Sequence, residues 1–265
     1  MVNTHNEEDI VHLLWTGGWD STFRLLYLIF KENKVVQPHY IIRPQECTGK
    51  EIDTMHNIRR QLFRKYPNAR EYLLPTQYLD NEKIDDFKKI TEEYEKIKEE
   101  KFISIQYEMI ARYCEQHNLE KIEIGIEKGC HTHHYIKDFI KESGDSNFEI
   151  DQTKSPKSFY SLLKYFRFPL LKYNKSEMES ISKKEKWLDL MKLTWFCRRP
   201  RKGRPCGFCG PCTDTFLAGL GWRLPISSRI IAYIQLPFRN WWRENYKKRS
   251  TGFYKYIKEL LKHRA

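Results

Sequence analysis

Thr16-Gly17-Gly18-Trp19-Asp20-Ser21-Thr22 follows directly on the apolar run Val11 to Trp15, the pattern of a strand that ends in a glycine turn and opens a helix. Paired glycines let the backbone turn tightly and bring its N–H groups close to an anion. Ser21 and Thr22 add hydroxyls where the helix begins, and the positive end of the helix dipole favours a phosphate there. Asp20 would repel a bare phosphate, so the carboxylate implies Mg2+ beside the phosphates, bound through hard oxygen ligands. Two other glycine loops are excluded. No Lys-Ser/Thr pair follows the turn, as a P-loop requires, and no third glycine completes a dinucleotide fingerprint. The alternative without chemistry is a glycine-rich strand-to-helix turn that binds nothing.

Cys197, Cys206, Cys209 and Cys212 follow the spacing C-x8-C-x2-C-x2-C, with Gly207, Gly210 and Pro211 letting the chain fold back around a central ion. Four thiolates at tetrahedral reach suit Zn2+ in a closed site. An iron–sulfur cluster also accepts C-x2-C-x2-C, but the bacterial ferredoxin run places its fourth cysteine downstream and follows it with proline. Zinc is therefore the favoured ion. The opening residues lack the basic and apolar regions of a secretory signal, so the seven cysteines are expected to stay reduced rather than form a disulfide framework. Cys47, Cys114 and Cys130 read as small buried hydrophobes.

The turn resembles the PP-loop of ATP pyrophosphatases, written Ser-Gly-Gly-x-Asp-Ser, with Thr16 keeping the first hydroxyl. PP-loop and four-cysteine element, in this order, resemble the 7-cyano-7-deazaguanine synthase family over residues 11 to about 220. Phe168-Pro169-Leu170 and Lys175-Ser176-Glu177 are weaker echoes of it. The resemblance implies a Rossmann-like, PP-loop (HUP-type) α/β fold with ATP, Mg2+ and Zn2+ as cofactors. It implies an ATP site from Thr16, Gly17, Gly18, Trp19, Asp20, Ser21, Thr22 and Arg43, with Asp20, Ser21 and Lys175 as the catalytic group. It further implies adenylation of a 7-deazaguanine carboxylate with release of pyrophosphate, followed by amide and nitrile formation. A variant form couples the activated acid to an amine on a partner protein, as in anti-phage defence relatives, and a tRNA-modifying PP-loop enzyme of thiolase type is the alternative.

The chain departs from the family where the base is recognised. Lys101-Phe102-Ile103-Ser104 stands in place of an Arg-Asn pair, and Cys130-His131-Thr132-His133-His134-Tyr135 in place of Tyr-Pro-Asp-Cys-Arg. His131, His133 and His134 follow a strand, where an α/β sheet places ligands. They are candidates for substrate contact, for a second metal or for plain loop residues facing water.

These residues need elements to hold them. The chain alternates strand and helix: Val11–Trp15 strand, Asp20–Glu32 helix, His39–Arg43 strand, Thr54–Tyr66 helix, Ser104–His117 helix and Lys121–Ile126 strand. Such alternation predicts a parallel sheet wrapped by helices. Asn81 to Lys101 carries Ile84, Phe87, Ile90, Tyr94 and Ile97 at helical period and predicts a surface helix packed on one face. Ser143 to Lys157 is polar and predicts a mobile loop over the site. Three regions are expected: residues 1–196 as the ATP-binding domain, 197–221 as the zinc element and 222–265 as a basic helical extension.

The net charge of +12 is unevenly spread. Residues 222–265 hold eleven Lys/Arg against Glu244 and Glu259, and Arg198 to Arg204 adds five more cations, leaving the first 197 residues nearly neutral. That tail predicts an anionic partner. Its Tyr233, Phe238, Trp241, Trp242, Tyr246, Phe253, Tyr254 and Tyr256 suit stacking on nucleic-acid bases, a protein groove, or packing on the body. No apolar run is long enough to span a membrane, so a membrane partner is not expected and the cytoplasm is the expected location. A homodimer is left open.

Overall fold

The computed structural model describes residues 10–100, 103–144 and 147–237. The chain divides between Phe196 and Cys197 into two compact units. In the first unit the strands are β1 (Ile10–Leu14), β2 (Val35–Ile42), β3 (Gln77–Asp80), β4 (Ile122–Glu123), β5 (Ile140–Ser143), β6 (Asn147–Ile150) and β7 (Phe166–Arg167). Five of them form one sheet in the order β3-β2-β1-β4-β7, every pairing parallel. The α/β expectation is met. The chain winds outward through β2 and β3, then returns to the other side of β1, so the order reverses between β1 and β4. That reversal opens a crevice at the carboxyl ends of the strands.

The helices are α1 (Trp19–Phe30), α2 (Thr48–Lys65), α3 (Lys88–Glu100), α4 (Ile105–Gln116), α5 (His131–Ile136), α6 (Lys157–Leu163), α7 (Lys175–Lys184) and α8 (Leu188–Met191). They pack in two groups, α1 with α7 and α8, and α2 with α8, against α3 with α4 and α6. Two groups suit a sheet covered on both faces. Helix α1 is apolar nearly all round, with Phe23, Leu25, Leu26, Leu28 and Ile29 buried, and it is a core element rather than a surface one. No helix among the described residues is long and apolar enough to cross a membrane.

Several boundaries differ from the sequence expectation for physical reasons. Strand β2 begins at Val35 rather than His39 and runs through Pro38, a residue that cannot donate to a ladder. Val36 pairs with the segment before β3 through Tyr72 and Leu74, and the ladder resumes only at His39 opposite Gln77. Gln37 spans the gap: its side-chain amide donates to the Pro38 carbonyl at 3.2 Å and the Pro75 carbonyl at 2.6 Å. Strand β4 stops at Glu123 instead of Ile126 because the Ile126 N–H turns back onto the Ile124 carbonyl at 2.9 Å, carrying Gly125 out of the sheet. Helix α3 starts at Lys88, after a short turn capped by Asp80, while Ile90, Tyr94 and Ile97 face inward as expected. Helix α2 begins at Thr48, six residues before the expected start.

The stretch from Ser143 is not a loop over the site. Strands β5 and β6 form an antiparallel hairpin with Ile140 opposite Ile150, and the Phe168 N–H bonds the Phe148 carbonyl at 2.8 Å. The hairpin thus shields the β7 edge of the sheet. Asp151 closes the following turn by accepting from the Thr153 N–H and hydroxyl.

Two buried polar clusters inside this unit are closely paired. Arg24 donates to both oxygens of Glu123, at 2.7 and 2.8 Å, and to both of Glu32, at 2.6 and 3.1 Å. Arg24 and Glu123 are almost fully buried, so truncating Glu123 would strand a guanidinium away from water. Urea unfolding of Glu123→Ala is expected to show a loss of about 3 kcal/mol; a change below about 1 kcal/mol would contradict the pairing.

His39 lies 1% exposed between His12, 2.8 Å from its Nε2, and the Tyr113 hydroxyl, 2.6 Å from its Nδ1. Burial, followed by the nearby His12 and His117, pulls its imidazole from 6.5 down to about 3. The unfolded chain therefore takes up a proton below 6.5 that the folded chain refuses until about 3. Stability is whole above 6.5 and drains as pH falls toward 3, by about 1.4 kcal/mol per unit. His39→Gln is expected to flatten that acid slope, read by urea titrations at stepped pH; an unchanged slope places the titration elsewhere.

Candidate functional site

The glycine turn leaves β1 at the strand-order reversal, and its geometry explains its residues. Gly17 has φ +67°, and a Cβ there would stand 3.1 Å from Thr54 Cγ2 and 3.2 Å from Met55 Cγ. Its carbonyl accepts the Trp195 N–H at 2.9 Å, which fixes the turn from behind. Gly18 is the extended N-cap residue of α1 and supplies no side-chain cap, so the first-turn N–H groups of this 12-residue helix remain available to an anion. Ser21 Oγ lies 3.4 Å from the Thr16 N–H and steadies the bend. Trp19 and Thr22 turn inward. Thr22 is fully buried and its hydroxyl accepts the Trp15 indole N–H at 3.0 Å, so its predicted ligand role becomes a structural one.

Asp20 lies beside Lys175, another of the three residues expected to be catalytic. Lys175 Nζ lies 3.5 Å from Asp20 Oδ1 and pairs closely with Glu127 Oε1. Burial alone lowers the Lys175 ammonium, but Asp20 and Glu127 outweigh it and hold the group above its ordinary value. A capping box positions the lysine: Asn174 Oδ1 accepts the Glu177 N–H at 2.9 Å and Glu177 Oε2 accepts the Asn174 N–H at 2.8 Å. The Lys-Ser-Glu echo thus divides into a site residue and a helix cap. The Lys128 N–H bonds the Tyr173 carbonyl at 2.9 Å and draws the Glu127 segment against the start of α7.

Sequence reasoning missed Glu127 and Gly125. A Cβ on Gly125 would come within 3.2 Å of Asp20 Cβ and 3.3 Å of the Ser21 nitrogen, so a side chain there would push the turn and the segment after β4 apart by a few tenths of an ångström. The available signal was a carboxylate placed just beyond the apolar run of a strand. Cys130 also lies nearby. Burial raises its thiol, with the charges of Glu127 and Asp20 adding to the effect, so it stays a protonated thiol rather than a nucleophile.

Thr16 and Arg43 line a cleft of about 440 Å3, open mouth included, together with Tyr40, Ile41, Gln106 and Met109. Among the described residues Asp20 Oδ1 is buried with no closer partner than Lys175 Nζ at 3.5 Å, beside a second carboxylate. Such a donor set fits a hard divalent cation with phosphate oxygens.

The histidines fall in helix α5 rather than a loop. His131 Nε2 lies 3.0 Å from the Tyr135 hydroxyl, and His133 Nδ1 accepts the Gly129 N–H at 3.0 Å. Burial lowers the His133 imidazole, and His134, Lys137 and Lys128 push it the same way. Among the described residues the three do not gather as a metal-binding group.

The second unit contains the cysteine element. All four ligand sulfurs lie within 4.8 Å of one another and every residue is buried. The Cys197–Cys206 and Cys209–Cys212 sulfurs are 3.5 and 3.4 Å apart, and the Cys206–Cys212 and Cys197–Cys209 sulfurs 3.9 Å. One tetrahedral Zn2+ at about 2.3 Å from each sulfur sets its ligands about 3.8 Å apart. A four-iron cluster spreads its four thiolates over four metal atoms and needs a wider cage. Backbone N–H groups of Cys206 and Cys209 point at the Cys197 and Cys206 sulfurs, at 3.3 and 3.4 Å, the outer contacts that steady thiolates. Hydrogen bonding from Cys197 and then Cys212 drives the Cys209 thiol down. The residues fit a single closed metal centre.

Helix α9 (Gly210–Thr215) carries Cys212, and residues 226–237 form a further helix that presents Ile226, Ile230 and Tyr233 exposed. The other predicted tail aromatics, Phe238, Trp241, Trp242, Tyr246, Phe253, Tyr254 and Tyr256, lie outside the described residues.

No family model matches the sequence, and no curated protein matches it. Among solved structures, the chain is similar to the U34-tRNA thiolase NcsA from Methanococcus maripaludis with its [4Fe-4S] cluster. The identity is 13% and the TM-score 0.38, over 86% of this chain and 71% of that one. A likeness at that level says nothing of what this chain binds, and the functional reading rests on the residues.

Gly207 is the sharpest test of the cysteine element. It has φ +82°, and a Cβ would stand 2.3 Å from the Ser228 carbonyl oxygen, a clash with backbone that cannot move aside cheaply. Gly207→Ala is expected to lose most of its bound metal, measured by elemental analysis of the purified protein; full metal content would contradict this geometry.

Proposed function

We propose that the chain adenylates an oxygen of a small substrate with ATP and releases pyrophosphate. The single observation that carries this is the convergence of Asp20, Glu127 and Lys175 on the uncapped start of α1, where β1 meets the crevice. The α1 N–H groups and Lys175 supply positive charge where pyrophosphate leaves, and Asp20 with Glu127 would hold Mg2+, which neutralises phosphate charge. The cleft beside Thr16 and Arg43 is the place for the nucleoside. In the reaction a substrate carboxylate oxygen attacks the α-phosphorus and the bond to the β-phosphate breaks. An amine then attacks the acyl carbon and AMP departs. Lys175, pairing first with the two acids, is free to follow the phosphates as they move.

The acid we assign is a 7-deazaguanine carboxylate, such as 7-carboxy-7-deazaguanine, with ammonia or a protein amine as acceptor. Support for this finer reading is the order of glycine turn and four-cysteine element. We assign the cysteines to Zn2+ as a structural ion, which would hold the element's short turns together. A second reading, a tRNA-modifying enzyme of thiolase type, draws on the five cations from Arg198 to Arg204 beside the cysteines. It calls for iron in the protein and for tRNA binding that weakens steeply with salt. The sulfur spacing speaks for one ion.

Incubation with ATP, Mg2+ and 7-carboxy-7-deazaguanine, followed by mass spectrometry, is expected to show AMP and pyrophosphate. Asp20→Ala and Lys175→Met should lower the rate by about 100-fold or more while the protein remains folded. No AMP with that acid removes the deazaguanine assignment, and AMP formation unchanged in both variants removes the site.

A further inference from the structure

The amino ends of the central strands border a second cavity, of about 620 Å3 with its open mouth. Strand β1 lines it with Ile10, Val11 and His12, whereas the glycine turn follows the other end of the same strand. The two cavities therefore lie at opposite ends of the sheet. Arg24, Lys34, Lys121 and Arg167 face this one, against Glu32 and Glu123.

The charges do not balance. Both carboxylates are taken up by Arg24, which holds all four of their oxygens. Lys121 pairs with Glu149 at 3.0 Å and with the Lys164 carbonyl at 2.8 Å. Lys34 and Arg167 are left without an ion pair among the described residues. Among the described residues Arg167 Nε is buried and makes no hydrogen bond. On the same wall Asn147 is 6% exposed, and its Oδ1 is also buried without a partner among those residues.

Folded proteins leave few buried polar groups unsatisfied, and each costs about 1–3 kcal/mol. Two such groups on one polar cavity, where four cations stand against three carboxylates once Glu149 is counted, indicate a partner that completes them. Its chemistry follows from theirs. A guanidinium and an ammonium together select an oxyanion, and the planar fork of Arg167 matches two oxygens of a tetrahedral phosphate. Asn147 Oδ1 is an acceptor; inorganic phosphate near neutral pH keeps a P–OH that can donate to it, and a monoester, largely a dianion there, would donate from a hydroxyl of its organic part.

We propose that this cavity is a phosphate-binding site, with Lys34 and Arg167 supplying the charge and Asn147 orienting the group. The site is separate from the proposed ATP chemistry and takes either free phosphate or the phosphate of a small organic monoester.

Calorimetric titration of the full chain with inorganic phosphate and, separately, with ribose 5-phosphate tests this. A saturable site that persists in Lys175→Gln is expected, weakened about tenfold or more in Lys34→Gln and in Arg167→Gln. Lys34 is half-buried and its replacement leaves the core intact, so the result does not depend on the tolerance of β7 to substitution. Lys175→Gln, which removes the cation of the glycine turn, should leave phosphate affinity unchanged. Tighter binding of the monoester assigns the rest of the cavity to its organic part, and equal binding assigns free phosphate. Absence of saturable binding to folded protein would overturn the proposal. So would binding that Lys175→Gln weakens and Lys34→Gln does not.

Discussion

One buried ammonium joins the parts of the first unit that carry its chemistry. Lys175 stands at the start of α7, Glu127 just beyond β4 and Asp20 on the first turn of α1, and the lysine is paired with both acids. None of these three charges is stable there alone, because burial without a counter-charge costs several kcal/mol for each ion. Their mutual neutralisation lets the carboxyl ends of β1 and β4 close around the glycine turn. Gly125 is the steric half of the same constraint, since any side chain at that position would press on Asp20. A cluster of this kind is stable when empty and ready to exchange partners when phosphates and a cation arrive, which is what the proposed adenylation requires.

How much of this was legible in the sequence depends on how local each feature is. The turn from Thr16 to Thr22 and the four cysteines were legible because short-range spacing sets both, through left-handed glycines and through sulfur reach. Asp20 and Lys175 were named together because each matches a motif of the resembled family, yet Glu127 was not, because neither a motif nor a periodicity marks it or links it to Lys175. The strand expected from His39 begins instead at Val35, ahead of Pro38, and the side chain of Gln37 spans the ladder that the proline breaks. The polar run after Ser143 read as a loop because its two apolar residues, Phe148 and Ile150, are too few to announce a strand. Thr22 looked like a ligand because the turn offers its hydroxyl there, but the indole of Trp15 takes it.

The two units solve different problems of charge. In the first, cations and carboxylates are paired inside a nearly neutral body, as with Arg24 between Glu123 and Glu32. In the second, four sulfurs within 4.8 Å of one another cannot all ionise without a cation among them. Short glycine-containing turns bring those sulfurs close enough for one ion, and Gly207 passes the Ser228 backbone where no other residue fits. The adjoining run from Arg198 to Arg204 places five cations beside the cysteines.

The central claim is that the α-phosphorus of ATP is attacked by a carboxylate seated beside the Asp20, Glu127 and Lys175 cluster. It is tested most directly by supplying the acid with heavy oxygen in its carboxylate, together with ATP, Mg2+ and an amine, and weighing the released AMP. The account predicts AMP that carries one heavy oxygen from the acid, formed in step with pyrophosphate. Release of ADP, or of AMP free of the label, would contradict it.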